Sequence, residues 1–255
     1  MSTRVAILQS NYIPWVGYFD IISRVDEFVI YDVVQFTKND WRNRNRIKTA
    51  AGLQWLTIPV VTSGRFGQSV AETRIAAPDW TVKHWRSVAQ AYARAPFFPQ
   101  YEGCIAAAYQ QCATIDRLSA VNRVFIDALA AQFQLPTRLT TAGEYDASRD
   151  RTGRLVAICQ AAGADVYLSG PSAAAYLDAA QFTAAGIAVE YIDYSRYPVY
   201  PQLHGPFESG VSALDVLFNL GPAAADYLKS LAGFTVSPTR PARPAPPAPD
   251  RSTDR

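Results

Sequence analysis

Apolar residues at the start of the chain come in a short block, Val5-Ala6-Ile7-Leu8, that gives way to Gln9-Ser10-Asn11 and then to a turn marked by Pro14 and Gly17. This pattern predicts a buried strand, a polar loop and a helix whose inner face carries Phe19, Ile21, Ile22 and Val25. A second apolar run, Phe28-Val29-Ile30-Tyr31, stops at Asp32 and completes a β-α-β unit. Residues 54–61 alternate like a strand, and Ala50-Ala51-Gly52 turns a hairpin back from Ile47; Pro59 makes that strand an edge or a terminus. Helical periodicity covers 79–94, 101–113 and 116–133, with Asp79 and Asp116 placed to cap the first and last.

The α/β alternation resumes with a helix over 151–163 closed by Gly163, a strand over 165–168 and a turn at Ser169-Gly170-Pro171. A helix over 173–185, with Ser172 as a candidate cap, a strand over 187–192 and a helix over 212–218 follow. The segment 197–207 is too rich in proline for a regular element. The expected architecture is therefore α/β, a parallel sheet in one domain over 1–234 with a helical insert at 79–135. From 237 to 255 no large apolar side chain occurs, so 235–255 is expected to be a disordered Pro-rich tail.

Composition narrows the class. At 255 residues and 49% hydrophobic the chain can bury a substantial core. Its 24 cations and 22 anions are interspersed, which argues against nucleic-acid binding by bulk charge. Cys104, Cys112 and Cys159 make an odd number without C-x-x-C spacing, and the two histidines lie far apart, so neither a disulfide framework nor a metal site is expected. No run of about 20 apolar residues and no cleavage-site pattern occurs, and a soluble, cytoplasmic protein without a membrane span is expected. Neither G-x-x-x-x-G-K-[ST] nor G-x-G-x-x-G is present.

Parallel β-α-β units place ligands at the carboxyl ends of their strands, so Gln9, Asn11, Asp32 and Gln35 are the first site candidates. Asp32 has the position of a hydroxyl-binding group or general base, or of a carboxylate that caps a loop. In Trp41-Arg42-Asn43-Arg44-Asn45-Arg46-Ile47-Lys48, an extended chain puts the four cations on one face and Trp41, Asn43, Asn45 and Ile47 on the other. Arg44 is the candidate anion anchor; Arg42, Arg46 and Lys48 read as a cationic edge that discourages sheet aggregation. Ser169 and Gly170 could present a hydroxyl and amides to an anion, or simply open a helix. His204, near Gln202, is a candidate base or a structural hydrogen-bonding group. His84 reads as surface or packing, and the cysteines as small buried hydrophobes. Tyr12, Trp15, Tyr18, Trp41, Tyr194, Tyr197 and Tyr200 supply ring faces for stacking, or core.

Four segments, 9–19 (QSNYIPWVGYF), 26–45, 166–171 (VYLSGP) and 197–221, resemble the WbqC-like family of bacterial proteins. That resemblance implies a setting in surface-polysaccharide, O-antigen or natural-product assembly. A looser resemblance, to nucleotidyltransferases with an HxGH signature, implies a Rossmann-like sheet; Pro14 and Tyr18 stand where the two signature histidines would, which removes the phosphate-activating groups. Together these readings lead to an enzyme without cofactor or metal. It would transfer an acyl or aminoacyl unit from a thioester-type donor, small or borne on a carrier protein, to an amino sugar or related amine. Asp32, Arg44, Asp193 and His204 are the expected catalytic groups. Gln9, Asn11, Tyr12, Tyr18, Gln35, Trp41, Asn43, Asn45, Ser169, Gly170, Tyr200 and Gln202 are the expected binding groups. The competing readings are adenylyl transfer or ligation, and a non-catalytic module that binds a sugar nucleotide or a carrier protein.

Overall fold

A computed structural model of the chain describes residues 2–145, 151–231 and 235–236. Five parallel strands lie in the order β5 (Arg138–Thr141), β2 (Glu27–Ile30), β1 (Arg4–Leu8), β6 (Val166–Ser169), β7 (Ala188–Ile192), and β8 (Thr235–Val236) adds antiparallel to β7. The fold is α/β and Rossmann-like. From β1 the chain first builds outward through α1 (Val16–Ser23) to β2 and β5, then returns to β6 and builds the other way. The direction of winding therefore reverses beside β1, and its carboxyl end faces the crevice that such a reversal opens.

The inner strands β1, β2 and β6 are buried on both faces, and side chains along the sheet alternate with a period of two. Ala6, Phe28, Ile30, Leu168 and Ile192 point into a core shared with α1, the three helices α2 (Trp80–Tyr92), α3 (Phe98–Cys112) and α4 (Leu118–Gln132), and the pair α7 (Leu214–Leu220) and α8 (Ala223–Ser230). Val5, Ile7, Val29, Tyr31, Tyr167, Val189 and Tyr191 point to the opposite face, covered by α5 (Arg151–Ala161) and α6 (Ala179–Ala184). Among the described residues no helix is long and apolar enough to cross a membrane.

Between β2 and the helices stands the predicted hairpin, β3 (Arg44–Thr49) paired with β4 (Gly52–Thr57). Its second strand stops before Ile58 and Pro59 rather than running to 61. Other expectations are corrected as well. Asp79 makes no capping bond and pairs with Lys83 instead, while α4 is preceded by Arg117 rather than by Asp116, which faces Arg74. The predicted helix over 173–185 is broken: Pro171–Ala175 is a 3-10 turn preceded by Gly170, not Ser172, and a fresh helix starts where the Asp178 carboxylate accepts from the Ala180 N–H. Strand β5 was not foreseen. Leu139 is its one large apolar side chain, and pairing with β2 makes it a strand. The tail expected from 235 begins with β8, and 237–255 lies outside the described residues.

Candidate functional site

The loop leaving β1 is bent hard. Ile13 is fully buried at φ 36°, a left-handed conformation that costs a β-branched residue free energy. Asn45 of β3 holds it there: its Nδ2 donates to the carbonyls of Tyr12 (3.2 Å) and Ile13 (2.8 Å), and its Oδ1 accepts from the Arg46 N–H at 2.8 Å. The Ala213 N–H reaches the Pro14 carbonyl at 2.8 Å, closing the loop against the start of α7.

This bend presents Asn11 and Trp15 to a cavity of about 280 Å³ whose other walls are Trp41, Asn45, Arg46 and Gly210. Trp15 packs edge-on against Tyr194, ring centroids 4.8 Å apart, and lies over Gly17, where any Cβ would overlap the indole. Across the cavity, Arg44 stacks 4.3 Å from the Trp55 ring, Trp55 faces Trp41 at 5.5 Å, and the Arg46 guanidinium lies 5.8 Å from Trp41. Arg46 also donates from Nε to the Gly210 carbonyl at 2.9 Å, an approach so close that a side chain at Gly210 would collide with the guanidinium. The alternation expected of this strand holds for Asn43, Asn45 and Ile47, which are buried, but not for Lys48, which is buried as well and directs its ammonium to Gln202 rather than forming a solvated cationic edge. Trp41 departs from it, because it precedes the strand and turns to the cationic side beside Arg46.

Of the predicted residues, Asn11, Trp41 and Asn45 meet at this cavity. Arg42 stands behind them, donating to Asn11 Oδ1 and Asp40 Oδ1 at 3.3 Å each, with its buried Nε unpartnered. Arg44 is committed to Trp55 and to the Asn39 carbonyl, and its Nε is likewise buried and unpartnered. Asn43 donates inward to the Ile58 carbonyl at 2.9 Å. Gln9 contributes its carbonyl, which accepts from the Tyr18 hydroxyl at 3.2 Å.

Asp32 is buried and fully engaged. It accepts from the Ser10 N–H at 2.8 Å, from the Ser10 hydroxyl at 2.6 Å and from the Ser119 hydroxyl, which ties the ends of β1 and β2 to α4. Asn122 extends this knot by donating to Ser10 Oγ and to the Arg42 carbonyl, 2.9 Å each. Tyr12 is likewise internal, bonded at 2.8 Å to Tyr109 and to His84. Burial lowers the His84 imidazole to about 4.

The remaining candidates lie elsewhere. Gln202 accepts from Lys48 Nζ at 2.6 Å and donates to Tyr200, whose hydroxyl bonds the buried Asp215 carboxylate at 2.9 Å; this knot anchors the Pro-rich loop. His204 donates to the Ala91 carbonyl at 2.8 Å. Ser169 is buried against Tyr167 on the α5–α6 face, and Gly170 packs beside Tyr194. Asp193 holds the Ser195 N–H and hydroxyl, and those bonds lower its carboxyl below the usual range. Gln35 is exposed, its backbone bridged to Ser69.

Trp15, read from the sequence as a ring for stacking or core, lines the cavity, and so do Arg46, read as part of a cationic edge, and Gly210, which nothing local marks. No Asp, Glu or His lines the cavity. Among the described residues no group of three or more His, Cys, Asp or Glu is placed to hold a metal ion.

Comparison with known proteins identifies the family. The model of the WbqC-like protein family matches residues 9–227, which include both ends of the cavity. An uncharacterized protein of Mycobacterium tuberculosis strain H37Rv, Rv1507c, is 47% identical over 226 residues, covering 89% of this chain and 97% of its own. No solved structure matches. With the family match running from the loop after β1 to α8, and a relative of that similarity along nearly its whole length, the chain belongs to the WbqC-like protein family.

Proposed function

We propose that the cavity between Trp15 and Trp41 binds a small ring-bearing molecule with an anionic group, and that the protein uses it to form an amide. An acyl or aminoacyl unit passes from a thioester-type donor to an amino sugar or related amine. The observation that carries this reading is the combination of walls: two indole faces for a sugar ring, the Asn11 amide for a hydroxyl or an amide, and one guanidinium for a carboxylate or phosphate. A volume of about 280 Å³ suits a monosaccharide-sized group. The amine nitrogen attacks the thioester carbonyl, the C–N bond forms, the C–S bond breaks, and the departing thiolate takes up the proton the amine releases. With no titratable base lining the cavity, the rate enhancement comes from holding donor and acceptor in line. Free thiols at Cys104, Cys112 and Cys159 support a cytoplasmic setting for this chemistry.

The same lack of a lining carboxylate or imidazole favours one alternative, a non-catalytic module that presents its ligand to other enzymes. A single panel separates the two. Thermal shift with free amino sugars, uronic acids and pantetheine thioesters, followed by mass-spectrometric search for an amide product, tests both binding and turnover. Binding that disappears in Arg46→Gln and Trp41→Ala, with product, supports transfer; the same binding without product for any donor-acceptor pair supports the module. Binding unaffected by both substitutions refutes the site.

A further inference from the structure

A second cavity, of about 720 Å³, lies under the arm formed by residues 60–76, and it shares no lining residue with the first. Three arginines, Arg65, Arg74 and Arg117, line it together with Phe66, Gln68 and Glu72. We propose that this cavity is a binding site for an organic polyphosphate carrying an aromatic base, a nucleoside di- or triphosphate in its chemistry. The inference goes beyond the amide-forming reading and does not depend on it.

Arg74 and Arg117 are direct partners in an antiparallel bridge, which sets two guanidinium stems opposite each other on neighbouring backbones. Like charges so paired repel each other, and an anion bound between them would relieve that repulsion. Compensation within the chain is slight. Arg74 reaches Asp116 only at 3.7 Å, with both side chains more than half exposed, and Arg117 donates to the Glu72 carbonyl at 2.9 Å. The Glu72 carboxylate accepts from the Ser69 N–H and hydroxyl, 2.8 Å each, and its charge also feels Arg117 and Arg65, so it offsets part of the positive charge. Those bonds hold its carboxyl below the usual range. The lining therefore offers three guanidiniums against one carboxylate, a net positive charge.

The walls are preformed. The Val61 N–H donates to the Arg74 carbonyl at 2.8 Å, Ile75 N–H to Asp116 at 2.9 Å, Leu118 N–H to Thr73 at 3.0 Å and Phe36 N–H to Gln68 at 2.9 Å. At the rim Phe66 stands wholly in solvent, between Arg65 and Gly67. A large ring held in water beside an arginine cluster is the arrangement in which a base stacks while its phosphates are paired.

Calorimetric titration of the full chain at about 50 mM salt, with ATP, inorganic tripolyphosphate and adenosine as separate probes and no metal ion, tests the assignment. ATP and tripolyphosphate are expected to bind, ATP about tenfold more tightly, and adenosine weakly. The double variant Arg74→Gln/Arg117→Gln is expected to weaken both phosphates by about tenfold or more. Its melting temperature should change little, because the lost Arg117 bond to the Glu72 carbonyl and the relieved repulsion act in opposite senses, so lost binding is separable from lost folding. Phe66→Ala should abolish the advantage of ATP and leave tripolyphosphate unchanged. Trp41→Ala, in the other cavity, should leave both affinities unchanged. Absence of tripolyphosphate binding, or binding indifferent to the double variant, overturns the site. Equal affinity for ATP and tripolyphosphate, insensitive to Phe66→Ala, overturns the nucleotide assignment.

Discussion

Replacing Asn45 by Ala should collapse the candidate site and cost the fold a measurable part of its stability. The side chain is 1% exposed, and its amide nitrogen is the donor that serves both the Tyr12 and Ile13 carbonyls. Truncation strands two carbonyls and the Arg46 N–H. At about 1 kcal/mol for each lost bond, with a further penalty where a buried group stays unpaired, the sum is roughly 2–4 kcal/mol. For a chain of this length that corresponds to a fall of about 6–12 °C in melting temperature. Released from the clamp, Ile13 should leave its positive φ, and Asn11 and Trp15 should shift with it. Asn45→Asp separates donor from packing, because it keeps the volume and the acceptor for Arg46 but removes both donated bonds; it should be at least as damaging as Ala. Urea denaturation of the three proteins, read as midpoint and slope, supplies the numbers. A destabilisation below about 1 kcal/mol for Asn45→Ala, or an Asp variant as stable as wild type, refutes the clamp.

Gly17→Ala places a methyl group inside the space of the Trp15 indole; the ring must swing away, with an expected cost of about 1–3 kcal/mol and loss of any ligand-induced thermal shift at the aromatic cavity. His84 makes stability depend on pH with a known sign. Its imidazole ionises at about 4 in the native state against an ordinary 6.5, so the unfolded chain binds the extra proton, and stability falls as pH drops through that window by at most roughly 3 kcal/mol. Burial raises the Asp20 and Asp215 carboxyls, which works in the opposite sense, so the measurement is the difference between wild type and His84→Gln; identical pH profiles would sink the assignment. Thiol labelling of the native protein near neutral pH should modify Cys104 slowly and spare the other two, because burial pushes the Cys112 and Cys159 thiols up to about 12. Rapid labelling of Cys159 would contradict its enclosure between α5 and the sheet.

The elements that could be read from the chain are those that carry their own signal. Strands β1, β2 and β6 bury both faces and so appear as short apolar runs, β7 shows the same signal interrupted only by Glu190, and the hairpin is announced by Ala50-Ala51-Gly52. β5 carries no such signal, since Arg138-Leu139-Thr140-Thr141 becomes a strand only by pairing with β2 and through the Thr140 bond to Glu27. The alanine-rich stretch at 173–185 has the propensity of one helix, yet Pro171 starts a tight turn and Asp178 recaps the chain a few residues on. The site divides the same way. Asn11, Trp41 and Asn45 follow from strand ends and from the family motif, and all reach the cavity. Asp32 and Tyr12 have the same local credentials, but partners more than 70 residues away, Ser119 and His84, draw them inward. Gly210 joins Arg46 from 164 residues along the chain, a proximity that no local pattern encodes.

The stacked indoles at the mouth of the cavity also make the protein its own optical sensor. Of five tryptophans, Trp15 and Trp41 line the space and Trp55 backs Trp41 across the hairpin, whereas Trp80 and Trp85 lie in α2 among core aromatics. Emission from the helical pair forms a steady background, and the rest comes from rings whose polarity and guanidinium neighbours change when a molecule enters. Occupancy is thus readable as colour and intensity in unlabelled protein, and Trp55→Phe beside Trp41→Phe would show which ring reports it.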